Sequence, residues 1–123
     1  MIEQWLDEIK ATADPNELGM ILVHNGIVRG MSKKGEAVGK MLLTHDAAGL
    51  EKLIEQYERK DGVVDIRVWI NSGELHVGDD IMLVLVAGRF RTDVLPVFES
   101  LIGKIKGEIV SEREILSGHE EGV

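Results

Sequence analysis

GELHVGDDIMLVLVAGRFRTDVLPVFESLIGKIK, residues 73–106, contains the longest apolar run of this 123-residue chain. The stretch is typical of a short strand, a tight turn at Gly78-Asp79-Asp80 and a long strand over Ile81 to Ala87. The long strand is apolar at every position, so we expect both of its faces to be covered, although periodicity alone does not separate it from a buried helix. Its length of about seven residues and the flanking Gly78 and Gly88 favour the strand.

An amphipathic helix follows this strand. It is expected to begin near Asp93, with Pro96 in its first turn, where a missing N–H costs little. Its apolar face is expected to consist of Leu95, Phe98, Leu101, Ile102, Ile105 and, at its end, Ile109. After Gly107 the sequence is charged and only weakly periodic, which predicts a partly flexible C-terminal tail over residues 107–123.

Upstream of this stretch, hydrophobic periodicity and turn residues predict two helices and three strands. The helices are expected over Met1 to Ala11 and Ala47 to Lys60, and the strands over Leu18 to Arg29, Glu36 to Thr44 and Val63 to Ile70. The second strand is antiparallel to the first if the basic loop Gly30 to Gly35 forms a hairpin. A bulge or bend is expected at Gly26 in the first strand.

The order of these elements predicts one domain of the α+β class, with a mainly antiparallel sheet and helices packed on one face. The domain covers residues 1–123, and residues 1–14 form the N-terminal helix and the turn that ends it. This helix is expected to cover the core, with docking as a lid or on a partner subunit as the alternative.

Composition argues against several classes of function. The net charge of −8 argues against a non-specific binder of nucleic acid or of a membrane surface. The absence of cysteine excludes thiol catalysis, disulfides and cysteine-ligated metals. No segment approaches the ~20 apolar residues of a membrane span, and no signal-peptide pattern is present, so a cytoplasmic protein is expected. The four histidines do not have the spacing of metal ligands, so neither a metal nor a cofactor is expected. These histidines are His24, His45, His76 and His119.

The side chains that could carry chemistry are cationic and lie at the ends of predicted elements. In chain order they are Arg29, Arg89, Arg91, Lys104, Lys106 and Arg113. Lys106 comes directly after an apolar helix position, where a lysine can line a cleft while its stem packs. The repeated placement predicts a shared pocket for an anion, and the competing interpretation is that each is a surface charge. The Gly30 to Gly35 loop could hold a phosphate, although a solvated loop is favoured for it.

An ordered set of motifs resembles the MoaE family, the large catalytic subunit of molybdopterin synthase. The set comprises GIVRG at 26–30, GELHVGDDIMLVLV at 73–86, Arg91-Thr92 before the helix and Ile105-Lys106 at its end, and the resemblance covers about Leu18 to Glu114. It implies an α/β-hammerhead fold and a homodimer that forms a heterotetramer with a MoaD-like sulfur carrier of ubiquitin fold. It also implies transfer of sulfur from the thiocarboxylated Gly-Gly tail of that carrier to a pterin phosphate, cyclic pyranopterin monophosphate, in molybdenum cofactor biosynthesis.

The resemblance also implies roles for single residues. Lys106 corresponds to the catalytic lysine of the family, and Arg113 lies where the family has its second active-site lysine. Arg29 corresponds to the active-site arginine of the G-x-V-R element, and Arg91 to the arginine of a His-Arg pair that binds the anionic substrate. We expect Arg89, at the same corner as Arg91, to bind substrate as well.

Several positions of the family pattern are changed in this chain. The histidine of the His-Arg pair is Phe90, and a second His-Arg pair before the G-E-L element is Ile70-Asn71. The closing motif of the family contains a proline, a tryptophan and a lysine, which are absent from the corresponding Val110 to Ile115. Arg113 cannot replace a lysine in covalent or proton-transfer chemistry, because a guanidinium stays protonated.

Two functions of different classes therefore remain. The first is a sulfur-transferring synthase subunit, and the second is a catalytically altered MoaE-like protein that only binds a partner protein or an anionic ligand. An unrelated small hydrolase or transferase has no motif in its favour. Clustering of Arg29, Arg91 and Lys106 in one cleft would favour the first function. The binding protein would be favoured if the residues that differ from the family pattern closed that cleft. These residues are Phe90, Ile70 and Glu112.

Overall fold

A computed structural model of the chain describes residues 1–118. Its elements follow the order α1 (Ile2–Thr12), β1 (Met20–Ile27), β2 (Val38–His45), α2 (Ala47–Glu58), β3 (Val63–Ile70), β4 (Gly73–His76), β5 (Asp80–Gly88), α3 (Arg91–Lys104), a π-helical turn (Ile105–Ile109) and β6 (Val110–Leu116). The α+β class and the order predicted from the sequence are confirmed as far as α3.

The strands form two antiparallel sheets of three strands, in the orders β1-β5-β3 and β4-β2-β6. The hairpin considered for β1 and β2 is wrong, because the basic loop between them closes only a single bridge between Met31 and Ala37. The tight turn after β4 joins the two sheets instead of closing a hairpin. β4 pairs with β2, which places Leu75 opposite Met41, and both side chains are buried in the core.

β5 is covered on both faces, as its apolar sequence predicts. Met82, Val84 and Val86 belong to the main core, which the helices α2 and α3 close. The alternate positions Leu85 and Ala87 belong to a second cluster, which is completed by Ile9 of α1. α1 therefore covers the core, and the expectation of helices on only one face is wrong because an all-apolar strand needs a layer on each side.

The start and the buried face of α3 differ from the prediction. The helix begins at Arg91, so Pro96 lies inside it and beyond its first turn. Val94, Val97 and Leu101 are its buried residues, whereas Leu95 is 38% exposed. A reason is visible at Gly88 of β5, where a Cβ would lie 2.5 Å from Cγ2 of Val94. The missing side chain lets Val94 dock against the sheet, which sets the rotation of the helix.

β6 corrects the prediction of a tail without regular structure after Gly107. The strand pairs with β2 from His45 opposite Val110 to Val38 opposite Leu116, and its Ile115 is buried. The four side chains from Ser111 to Glu114 are exposed and three of them are charged, as is common in edge strands, and this composition is also that of a solvated tail. Residues 119–123, with His119 and the end of the predicted flexible tail, lie outside the described residues.

Candidate functional site

Arg29 is positioned by a backbone clamp on the residue before it. The Val28 N–H donates to the carbonyl oxygen of Asp79 at 2.9 Å, and the Gly78 N–H donates to the Val28 carbonyl oxygen at 2.9 Å. The Val28 side chain is buried, and Gly78 adopts a φ of 92°, which favours glycine. The G-I-V-R and G-E-L-H-V-G-D motifs, about fifty residues apart in sequence, therefore meet at this point. The predicted irregularity of β1 is confirmed between Gly26 and Ile27.

Lys106 is positioned by the π-helical turn that follows α3. Ile105 and Ile109 of this turn are buried, while Lys106 between them is exposed. The Ile109 carbonyl oxygen accepts from the Asp46 N–H at 3.0 Å, which ties the turn to the end of β2. π-Helical segments are often found at functional sites, because the wider turn redirects a side chain. The prediction that Lys106 lies at the edge of the apolar face is confirmed.

Arg29 and Lys106 line one cavity of about 190 Å³. Its walls are otherwise apolar or charged, and they consist of Ile27, Met31, Lys33, Met41, Ile81, Glu112 and Glu114. Within residues 1–118, neither the Arg29 guanidinium nor the Lys106 ammonium forms an ion pair or a hydrogen bond. Both cations are therefore available to a ligand, which is the arrangement that a binding site for an anion requires.

The cavity also contains three charged side chains besides Arg29 and Lys106. Lys33 comes from the basic loop, so this loop contributes to the site in addition to contacting solvent. Glu112 and Glu114 come from β6, where they lie opposite Leu43 and Met41 of β2. Strand alternation places these two carboxylates on one face, but the charged and weakly periodic residues after Gly107 do not predict a strand.

Arg113 lies beside this cavity and does not line it. It lines an adjoining cavity of about 460 Å³ together with Lys34 and Glu36. The two cavities share Lys33, Glu112 and Glu114. Arg113 and Lys106 are therefore near one another, but the structure does not place them in the same cavity.

Arg89 is surrounded by carboxylates. Its guanidinium lies 3.3 Å from Asp61, 3.4 Å from Asp93 and 3.7 Å from Glu17. The Asp61 carboxylate, followed by those of Asp93 and Glu17, raises the pKa of Arg89 above its usual value. This arrangement joins the loop before β1, the loop before β3 and the first turn of α3. It identifies Arg89 as a structural cation, and substrate binding by Arg89 has no support in this geometry.

Arg91 lies far from the cavity within one copy of the chain. It is the first residue of α3, and Lys106 lies fifteen residues further on, which corresponds to roughly 22 Å along a helix. The sheet shows the same separation, because Gly88 pairs with Met20 at one end of the β1–β5 ladder and Asp80 pairs with Ile27 at the other. The sequence predicted a cluster of Arg29, Arg91 and Lys106. The structure brings Arg29 and Lys106 together, but not Arg91.

The three residues that differ from the family pattern and were considered for closing the cleft lie in different parts of the structure. Ile70 is buried in the core. Phe90 is 61% exposed beside Arg91, with the Arg89 guanidinium 5.3 Å from the centre of its ring. Glu112 alone of these residues lines the cavity. The cavity is therefore not closed by the substitutions, but one of them adds a negative charge to it.

The part of the chain from residue 1 to 118 contains no cluster of three or more His, Asp or Glu side chains that could bind a metal ion. In the same part, no helix is long and apolar enough to span a membrane. What the cavity offers is three cationic side chains for an anionic group, and one of them, Lys106, can donate or accept a proton or act as a nucleophile.

Comparison with known proteins gives one consistent result. A family model described as MoaE protein matches residues 3–108. The molybdopterin synthase catalytic subunit of Haemophilus ducreyi is 30% identical over 109 residues, which are 85% of this chain and 68% of the relative. A molybdopterin synthase structure from Staphylococcus aureus superposes with a TM-score of 0.74 at 23% identity, covering 99% of this chain and 87% of the other.

A second solved structure contains two kinds of subunit. It is the complex of subunits 1 and 2 of the molybdopterin-converting factor from Helicobacter pylori, which matches 94% of this chain and 75% of the other, with a TM-score of 0.74 at 21% identity. At these identities the two structures confirm the fold.

Proposed function

The chain belongs to the MoaE protein family, and we propose from that premise that it is the large subunit of a molybdopterin synthase. In this proposal it acts in molybdenum cofactor biosynthesis in the cytoplasm, and transfers sulfur from a thiocarboxylated, ubiquitin-like carrier to cyclic pyranopterin monophosphate. The observation that carries the proposal is the convergence of Arg29 and Lys106 in one cavity.

The chemistry of the cavity supports this function. A pterin phosphate needs fixed cations for its phosphate, and Arg29, held by the Val28 clamp, provides a guanidinium that can form two parallel hydrogen bonds. Lys106 is the residue that acts on the reacting atoms in this proposal. Its amine serves as an acid or base during sulfur transfer, or forms a transient covalent link to the carrier.

The carrier needs a way to the reacting amine, and the adjoining 460 Å³ cavity supports one. This cavity adjoins the one that Lys106 lines. Its cations Lys34 and Arg113 suit a carboxylate at the end of a polypeptide, while Glu36 and the two shared glutamates offset part of that charge. We assign to Arg113 the binding of the carrier tail, not proton transfer, because its guanidinium stays protonated. The two-subunit complex from Helicobacter pylori supports the proposal that this chain also binds a second kind of subunit.

A second candidate function is supported by Glu112 and Glu114. Two carboxylates facing Arg29 and Lys106 offset part of the positive charge that a phosphate requires. A MoaE-like protein that binds a partner and has lost the transfer reaction would be consistent with them. The lining of the cavity contains three cationic side chains and two anionic ones, which favours the binding of an anion and therefore the first candidate.

The experiment that decides between the two candidates is a sulfur-transfer assay. The purified protein is mixed with a thiocarboxylated carrier and cyclic pyranopterin monophosphate, and the product is measured as molybdopterin. We expect product, and none with a carrier that ends in an ordinary carboxylate. Carrier binding without product would contradict the synthase and support the binding protein.

We further propose that the working form is a homodimer, in which Arg91 of one copy completes the cavity of the other. Exposed apolar side chains are present at both places: Phe90 and Leu95 beside Arg91, and Ile27 and Met31 at the cavity. A two-fold dimer that joins these two surfaces buries both and brings Arg91 to the partner's Lys106. The apolar length of β5 does not support a dimer, because β5 is already covered within one copy.

Mixing two inactive variants tests this dimer. Lys106→Ala and Arg91→Ala, unfolded together and refolded as an equal mixture, should recover about a quarter of the wild-type activity. Half of the dimers are then mixed, and each mixed dimer has one intact site of two. A site contained within one copy would give no recovery, and a monomeric mass in sedimentation velocity would contradict the dimer itself.

A further inference from the structure

His24 is a partly buried titratable group that has no role in the reaction proposed above. It lies in the middle of β1, opposite Val84 of β5, and its side chain is partly buried. Its ring nitrogen Nε2 is inaccessible to solvent and has no hydrogen-bond partner in residues 1–118. An unpartnered polar atom that is shielded from solvent costs free energy, so Nε2 is a candidate acceptor for a donor that approaches it.

The ring is directed towards the Lys106 cavity. His24 and Gly26 lie on the same face of β1, and a Cβ built on Gly26 would lie 3.4 Å from Nε2 of His24. The Cβ position built on Gly26 also lies 3.6 Å from Cβ of Ile81, which lines the cavity. The imidazole therefore leans along the strand towards the end where Arg29 lies, and the space left by the glycine separates Nε2 from the cavity wall.

Lys106 is close enough to His24 to affect it. Burial, and after it the positive charge of Lys106, lower the pKa of His24 below its ordinary value of 6.5. The other charged groups of the cavity are the cations Arg29 and Lys33 and the carboxylates Glu112 and Glu114. From the elements packed on this face, β5 and α3 contribute apolar side chains to the core. At neutral pH the imidazole is therefore uncharged and Nε2 is open to a donor.

We propose that His24 is a positioning residue for Lys106, whose unpartnered Nε2 accepts a hydrogen bond from the lysine ammonium and takes up its proton when the free amine is needed. The proposal rests on the proposed function, in which Lys106 is the reacting group. The step balances: one N–H bond of the ammonium breaks, one N–H bond forms at Nε2, and the positive charge moves from the lysine to the imidazole.

The coupling between the two groups lowers the free-energy cost of this transfer. The Lys106 charge opposes protonation of His24 only while the lysine is protonated. Once the proton has moved, that repulsion is gone and only the effect of burial remains. Phe90 replaces the histidine of the family's His-Arg pair and is exposed at the far end of α3, whereas the His24 imidazole lies behind Ile81 of the cavity wall.

Acylation of lysines by acetic anhydride tests the proposal without the sulfur-transfer reaction. Rates at single lysines are followed by peptide mass spectrometry between about pH 6 and 9. In His24→Phe we expect Lys106 to react roughly tenfold more slowly than in the wild type, with Lys104 unchanged as the internal control. His24→Gln should be equally slow, because an amide accepts a hydrogen bond but not a proton. An unchanged Lys106 rate in folded His24→Phe, or a wild-type rate in His24→Gln, would overturn the proposal.

Titration of the His24 imidazole by NMR provides a second test that needs no substitution at His24. The wild-type midpoint should lie below 6.5, and Lys106→Gln should raise it, because the substitution removes a cation that lowers the pKa. Lys104→Gln should not change it. A midpoint that is the same in both variants would show that His24 and Lys106 are not coupled. If molybdopterin fails to form while both tests succeed, the proposed function is wrong and the His24–Lys106 pair stands.

Discussion

Replacing Lys106 with alanine is expected to lower the rate of sulfur transfer by roughly 10²- to 10⁴-fold, the range that general acid–base catalysis contributes. The fold should be unaffected, because the Lys106 side chain is exposed while the turn that carries it is anchored by buried Ile105 and Ile109. The measurements are the single-turnover rate of molybdopterin formation and the thermal unfolding midpoint of each variant.

Lys104→Ala is the matched control for this substitution. Lys104 is two residues away, is exposed, and forms an ion pair with Glu108 at 3.2 Å. Exposed pairs of this kind contribute little to stability, so this variant should keep the wild-type rate and midpoint. Lys106→Arg keeps the charge but cannot release a proton, and it should be as slow as the alanine variant. Wild-type activity in Lys106→Ala would remove this residue from the mechanism, and activity in Lys106→Arg would leave it a purely electrostatic role.

Gly88→Ala is expected to lower the free energy of unfolding by about 2–3 kcal/mol, as for overpacking of a tightly packed interior. The added methyl group would overlap the carbonyl oxygen of Gly62 and would lie 2.5 Å from Cγ2 of Val94. The Gly62 carbonyl oxygen also accepts from the Arg89 N–H at 2.9 Å, so movement of this oxygen disturbs the entry to α3. Urea unfolding at equilibrium measures the change.

Gly103→Ala provides a control with the opposite sign. Gly103 lies inside α3, and a Cβ built there meets no atom within 4 Å in the described part of the chain. Because alanine restricts the unfolded chain more than glycine does and favours the helix, this variant should gain about 0.5–1 kcal/mol. Equal effects of the two substitutions would show that the close approach at Gly88 is not what holds α3 against the sheet.

The parts of the fold that depend on local pattern could be predicted from the sequence. The apolar run of β5 has no polar position, so a strand buried on both faces follows from it directly. Arg29 and Lys106 were found through short motifs, and the structure brings both into one cavity. Each of these predictions depends on residues that are neighbours in the chain.

The parts that depend on packing between distant segments could not be predicted. Pairing of β4 with β2 depends on which buried side chains fit together, as Leu75 fits beside Met41. The face of α3 depends on the contact of Val94 with Gly88, a glycine whose importance no local pattern reveals. The carboxylates of β6 enter the cavity only because that strand joins β2. Arg91 is distant from the cavity because the fourteen residues of α3 separate it from the turn that carries Lys106.

The clamp between Val28 and the Gly78-Asp79 turn has a consequence for how the activity arises during synthesis. A nascent chain that ends before residue 78 has no partner for Val28, and one that ends before residue 106 lacks the lysine. The cavity therefore requires contacts between segments about fifty and eighty residues apart, and loop closure of this kind comes late in folding. A fragment that lacks either segment lacks the complete cavity, so under the proposed function we expect no sulfur transfer before the whole domain has folded.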